Sequence, residues 1–336
     1  VLTAIICTFD RYHVLGDAIA SLRAQDIPIE IIIIDNSPDQ ARAHATAQTY
    51  GGIPNLRYIP EPAPGLSRAR NTGIALAGTD IVAFIDDDAV AAPAWARGLL
   101  AAFGPGIGAV GGPVRPIWGA PRPAWLGDDL LNFLSLIDWG PAPHEVVAGR
   151  GLIGCNLALD KQLVVELGGF PEHLGRSGSE ASLLSNDEAG LLARISAAGR
   201  GIFYTPDAAV AHLVEPGRLT QEWFLKRAAW QAVSDYLMDP ERFSAGVAAH
   251  RAQFQAGAPG AYEDATAFSA MFWVTYHATL SALAGAALPL APSAGWLGQW
   301  RAARLKGRLF ALTQNRPYLS GLGRLGLRSY RRLRGR

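Results

Sequence analysis

The segment Ile29–Ile34 constrains this 336-residue chain most: apart from Glu30 it is unbroken isoleucine, and Asp35-Asn36-Ser37 ends it. A continuous β-branched run of this kind fits a strand buried on both faces, and such a strand needs helices above and below it. Leu2–Thr8, Leu56–Ile59 and Ile81–Ile85 read as further short strands, while Val14–Ala24 and Leu66–Ala77 carry helical apolar spacing, with Gly78 as a stop signal. This alternation predicts an α/β fold with a mostly parallel sheet. Apolar residues make up 49% of the chain, enough for a sizeable core, and 37 Gly with 22 Pro supply turns.

In parallel sheets ligands bind beyond the carboxyl ends of the strands. That rule sets Thr8–Arg11, Asp35-Asn36 and Asp86-Asp87-Asp88 on one rim. Adjacent carboxylates repel, so a cation is expected to compensate them, and Asp86 and Asp88 point the same way on an extended strand end. Oxygen ligands of this type suit Mg²⁺ or Mn²⁺, although a solvated acidic loop tip shows the same letters. Asp35 either accepts hydrogen bonds from a base or ribose or simply closes an Asx turn. Arg68, Arg70 and Asn71 fall in the first turns of a helix. Cations there oppose the helix dipole unless an anion compensates them. Asp187-Glu188 opens another helix and suits either the dipole or a general base. His212 ends an apolar strand as either a core histidine or a metal ligand, which would shift the preference toward Mn²⁺. Cys7 and Cys155 read as two free buried thiols, with no disulfide framework and no zinc site. Gly106–Gly111 matches G-x-G-x-x-G literally, but it follows a helix and leads into a strand, the reverse of a dinucleotide fingerprint.

Between Pro113 and Gly149 the composition predicts long loops around one helix, Leu130–Ile137. Strand Gly154–Leu159, helices Lys161–Leu167 and Asp187–Ala198, and strands Ile202–Tyr204 and Ala208–His212 follow, and the pattern turns helical from Thr220. A boundary near Glu215-Pro216-Gly217 divides a domain of residues 1–214 from a helical C-terminal region, 215–336. Charge is uneven: of 30 Lys and Arg, eleven lie between Arg301 and Arg336, and no Asp or Glu follows Asp264. That tail reads equally as an element for an anionic membrane surface or as a solvated basic helix on an acidic domain. The uncharged stretch Ala265–Trp300 has the length of one membrane span, but His277, Pro289 and Pro292 make a span the weaker reading. Val1–Thr8 lacks the features of a signal peptide, so the expected location is cytoplasmic, with the inner membrane face open to it through the tail. The tail carries no nucleic-acid recognition motif, so nucleic acid is not an expected partner.

The ordered set Thr8-Phe9-Asp10-Arg11, Asp35-Asn36, Gly65 to Gly73, Asp86-Asp87-Asp88, Gly154-Cys155-Asn156, Gly168-Gly169-Phe170, Asp187-Glu188 and His212 resembles family 2 glycosyltransferases with the GT-A fold, over about residues 1–214. The resemblance implies an inverting transfer of one sugar from a nucleotide-sugar donor, with UDP as the guessed nucleotide, to a hydroxyl on a glycan, a lipid-linked acceptor or a small glycoconjugate. It implies a DxD-type metal site for Mn²⁺ or Mg²⁺ at Asp86 and Asp88, joined by His212. Donor contacts are implied at Thr8, Arg11, Asp35, Arg70, Asp86, Asp87 and Asn156. The family commonly shows Glu-Asp where this chain has Asp187-Glu188. Glu188 holds the position of the base, and the swap keeps Asp187 open. Arg227–Gln231 departs from the Gln-x-x-Arg-Trp of processive synthases, which implies single addition. A sugar nucleotidyltransferase and a non-catalytic binding protein on the same fold are the rival readings.

Overall fold

The structure, a computed structural model, describes residues 1–147, 151–176 and 183–239. They form two compact units, one of residues 1–122 and 130–219, the other containing residues 123–129 and the chain from Thr220. The basic tail and the apolar stretch before it lie outside the described residues.

The first unit is built on an eight-stranded sheet. In chain order its strands are β1 (Leu2–Thr8), β2 (Glu30–Asp35), β3 (Leu56–Pro60), β4 (Ile81–Asp86), β6 (Ile107–Gly111), β8 (His144–Glu145), β9 (Asn156–Asp160) and β10 (Gly201–Tyr204). They lie in the order β3-β2-β1-β4-β9-β6-β10-β8. β9 runs antiparallel to both β4 and β6, and β8 antiparallel to β10, while the remaining pairs are parallel. Three short strands, β5 (Ala89–Ala91), β7 (Val114–Trp118) and β11 (Val210–Val214), make a second sheet in the order β5-β11-β7.

The pleat divides the isoleucine strand between two cores. Ile31 and Ile33 join Leu2, Ala4 and Ile6 on one face, under α1 (Tyr12–Arg23) and α4 (Trp95–Ala102). Ile32 and Ile34 join Ile5, Val82 and Phe84 on the other, under α3 (Leu66–Leu76), α5 (Lys161–Glu166) and α6 (Asp187–Ala197). Ile32, Ile33 and Ile34 are fully buried, each contributing roughly 1.5–3 kcal/mol. The two-sided burial expected of that run is what the fold shows.

Several elements differ from the sequence expectation. The helix α2 (Gln40–Tyr50) was not expected: Ala43 is its one buried residue, so it carries little apolar periodicity, and Asp39 caps it by accepting from the Arg42 N–H. The expected helix Leu130–Ile137 is a 3₁₀ helix over Asp128–Leu134, and β7 and β8 occupy part of the segment read as loop. Gly106–Gly111 is a turn and a strand as expected. A side chain at Gly108 would collide with Ile195 and Leu163, so its glycine serves helix-to-sheet packing.

In the second unit the described helix is α7 (Gln221–Met238), capped by the Thr220 hydroxyl accepting from the Trp223 N–H. Trp125 meets Phe224 edge to face at 5.4 Å. Among the described residues no helix is long and apolar enough to cross a membrane.

Candidate active site

Parallel register brings the expected rim together. Thr8 pairs with Asp35 and Cys7 with Asp86, so the ends of β1, β2 and β4 are level. The three consecutive aspartates that end and follow β4 then diverge. Asp87 accepts from the Thr8 hydroxyl at 2.7 Å. Asp88 accepts from Arg11 Nη2 at 2.7 Å and faces His212 Nε2 at 3.3 Å. Asp86 stays partly exposed, 3.9 Å from Arg70 Nη2. His212 is carried to Asp88 by β11, whose Leu213 N–H bonds the Asp88 carbonyl at 2.9 Å. Burial pushes the Asp87 carboxyl up to about 7, with Asp88 and Asp86 adding to the effect and Arg11 opposing it. Burial also acts upward on Asp88, but His212 and Arg11 outweigh it and hold that carboxyl well below the usual range.

Arg70 and Asp187 form a second centre. Arg70 is 4% exposed, and its Nη1 donates to Asp187 Oδ2 at 2.5 Å. Its guanidinium also lies 5.1 Å from the Phe170 ring centroid. The arginine in the first turns of α3 is therefore neutralised by an internal carboxylate at the start of α6. A Cβ at Gly154 would sit 2.4 Å from Arg70 Nη2, so only glycine leaves room for the pair. Asn186, before α6, is held in the left-handed region at φ 74°. A non-glycine residue there is strained, as often at functional sites. Asp187 is buried and engaged, whereas Glu188 is half-buried. Burial, then the neighbouring Asp187 charge, raises the Glu188 carboxyl to about 7 against the pull of Arg70.

Two expected donor contacts are engaged within the protein. Asp35 is fully buried and accepts from Tyr58 at 2.7 Å, Tyr12 at 3.0 Å, the Ser37 N–H at 3.0 Å and the Ser37 hydroxyl. Asn156 accepts from the Trp95 indole at 2.8 Å and donates to the Ala208 and Pro113 carbonyls. The other arginine of α3, Arg68, is exposed and pairs with Glu172, and Asn71 braces the Phe170 backbone.

Residues 3–141, which carry the aspartate cluster, match the family described as Glycosyl transferase family 2. The glucosyl-dolichyl phosphate glucuronosyltransferase of Haloferax volcanii is 27% identical over 245 residues, 71% of this chain and 77% of that protein. The succinoglycan biosynthesis protein ExoM of Rhizobium meliloti is 29% identical over 230 residues, 66% of this chain and 70% of that protein. Over residues 3–141 the chain is thus similar to glycosyl transferase family 2. Its fold is similar to that of the Pyrobaculum calidifontis mannosyltransferase PcManGT in complex with GDP-Man and Mn²⁺, with a TM-score of 0.52 at 21% identity over 97% of this chain and 86% of that one. It is similar too to S. aureus TarS 1-349 in complex with UDP-GlcNAc, with a TM-score of 0.51 at 15% identity over 91% of this chain and 88% of that one.

Three further residues stand near the site without having been expected there. Arg176 and Arg218 lie near enough to Asp86 and Asp88 to feel their charge. Burial disfavours the Arg218 guanidinium charge, Arg176 and Arg11 add to that, and Asp88 and Asp86 oppose it. No local motif marks either residue; Arg218 sits in a short 3₁₀ helix, Pro216–Leu219, directly after β11. The third is Cys155. Because Ile85 pairs with Asn156 across β4 and β9, Cys155 falls beside Asp86. The pleat sends Asn156 to the Trp95 side of the sheet and Cys155 to the Asp86 side, and one ligand atom each from Asp86, Cys155 and His212 lie within 4.8 Å of one another.

Proposed function

We propose that the protein is an inverting, metal-dependent transferase that moves one sugar from a nucleoside-diphosphate sugar to an acceptor hydroxyl. The observation that carries this reading is the gathering of Asp86 and His212, with Asp88 behind the imidazole, at a rim where Arg11 pairs with Asp88 and Glu188 stands half-buried.

The residues fit a divalent cation. His212 Nδ1 is buried without a hydrogen-bond partner, while its Nε2 lies 3.3 Å from Asp88 Oδ1. Such an orphaned group costs about 1–3 kcal/mol, a cost that a bound ion would offset. Carboxylate oxygens with one imidazole suit Mn²⁺ or Mg²⁺, the histidine favouring Mn²⁺. When bound, such an ion supplies Lewis-acid neutralisation of the charge that builds on a departing diphosphate. The chain's own cations complement it, since Arg11, Arg176 and Arg218 draw the diphosphate to the rim. Glu188 takes the proton from the acceptor hydroxyl as that oxygen attacks the anomeric carbon, and a pKa near 7 suits a base at neutral pH. Asp187 holds Arg70 and raises Glu188, so it acts as a positioning residue. Thr8, Asp35 and Asn156 position the rim through Asp87, the two tyrosines and Trp95 respectively.

For the acceptor we favour a lipid-linked molecule. The Haloferax relative is named for a dolichyl phosphate substrate, and the basic tail from Arg301 would hold the enzyme at an anionic membrane surface. UDP- and GDP-sugars are the donors to screen, with release of the nucleoside diphosphate followed in the presence of Mn²⁺. The Asp86→Ala variant is expected to lose release. Pyrophosphate released from a nucleoside triphosphate would favour a sugar nucleotidyltransferase instead.

A further inference from the structure

We propose that the thiol of Cys155 is itself a ligand of the divalent cation, completing with Asp86 and His212 a mixed oxygen, nitrogen and sulfur site that selects a transition-metal ion over Mg²⁺. The inference rests on the metal-dependent reading above and adds a ligand to it.

The first support is geometric. Donors held at about 2.0 to 2.3 Å from one ion must lie within roughly 4.6 Å of each other. The ligand atoms of Asp86, Cys155 and His212 approach that spacing, all within 4.8 Å of one another. The arrangement follows from the fold. β9 runs antiparallel to β4, its register sets Cys155 beside Asp86, and β11 delivers His212 from the second sheet.

The second support is independent of the cysteine. His212 is 2% exposed, yet its Nδ1 has no hydrogen-bond partner, while its Nε2 faces the buried Asp88 carboxylate at 3.3 Å. A carboxylate behind one ring nitrogen is the usual way of orienting an imidazole whose other nitrogen binds metal. Asp88, tied to Arg11 on its other oxygen, is placed for that supporting part.

The chemistry then sets the preference. A thiol binds metal as thiolate, so its S–H proton passes to solvent as the sulfur–metal bond forms. Sulfur ligation favours Co²⁺, Zn²⁺ or Cd²⁺ and tolerates Mn²⁺, whereas Mg²⁺ demands oxygen. Cys7 provides a control within the same chain. It flanks Asp86 from the β1 side but does not belong to the group of close ligand atoms.

Titration of the full chain with Co²⁺, and separately with Cd²⁺, without nucleotide tests this by absorption. A sulfur-to-metal charge-transfer band is expected in the wild type and in Cys7→Ser, and is expected to vanish in Cys155→Ser. That variant should also lose roughly tenfold or more in Co²⁺ affinity, while its Mg²⁺ affinity stays within about twofold. Because the wild-type spectrum decides by itself, a Cys155 variant that fails to fold does not blunt the test. Co²⁺ bound by the wild type without the band overturns the inference alone. Failure of the wild type to bind Co²⁺, Cd²⁺ or Mn²⁺ overturns it together with the metal-dependent reading.

Discussion

Glu188 and Asp187 are adjacent carboxylates at one helix start, and their surroundings give them different work. Asp187 is closed into an ion pair with Arg70, while Glu188 is half-buried with its carboxyl raised to about 7 by burial and by Asp187. An acid is an effective base only when ionised. kcat/KM is therefore expected to fall tenfold per pH unit below about pH 7 and to level off above it. Glu188→Gln should flatten that limb and cut kcat by about 10²–10⁴-fold, with donor affinity nearly intact. Removing the Asp187 charge should lower the Glu188 pKa, so any activity left in Asp187→Asn should show its acid limb at lower pH. A larger kcat loss in Asp187→Asn than in Glu188→Gln would reverse the assignment. Asn156 makes the opposite kind of prediction. Its amide serves the Trp95 indole and two carbonyls, so Asn156→Ala should cost about 2 kcal/mol or more in chemical unfolding and leave donor KM within a few-fold. At this scale residue types were legible and orientations were not. Asp86, Asp88 and His212 stood out as chemistry, but whether Cys155 or Asn156 faces Asp86 depends on the register of two antiparallel strands, which no local spacing encodes.

The ion pair Arg70–Asp187 joins α3 to α6 where both helices cover the same face of the sheet. Removing one partner of a buried pair leaves the other charge uncompensated, at a cost of about 3–5 kcal/mol. Asp187→Asn should lie near the lower end, because Asp86 still faces Arg70 at 3.9 Å. A shift in denaturation midpoint with unchanged slope would measure it. Loss below about 1 kcal/mol would mean the pair does not tie the helices. The strands β1, β2 and β4 were readable because two-sided burial forces unbroken apolar runs. The helix α2 was not, because it buries little more than Ala43 and so lacks a stripe. The short strands β5 and β7 were not readable either: their partner β11 lies about a hundred residues away in sequence, and pairing rather than pattern defines them.

Across the whole molecule, the parallel register gathers residues from three distant segments at one rim, and a second sheet delivers His212 to it. Charge is divided along the chain as well: eleven cations crowd the last 36 residues and the remainder is net acidic. If that tail serves a membrane surface, the full chain should co-sediment with anionic vesicles at low salt and be released as salt rises, since screening weakens the attraction. Binding indifferent to salt and lipid charge would count against it. The central claim is that the acidic rim, with a divalent cation, holds a nucleoside-diphosphate sugar. Thermal-shift measurement of the wild type and Asp86→Ala with UDP- and GDP-sugars, with and without Mn²⁺, tests it most directly, since only a ligand bound to the folded state raises the melting temperature. The account predicts a rise with at least one nucleotide sugar that requires Mn²⁺ and disappears in Asp86→Ala. An equal rise without the ion, or in the variant, would contradict it.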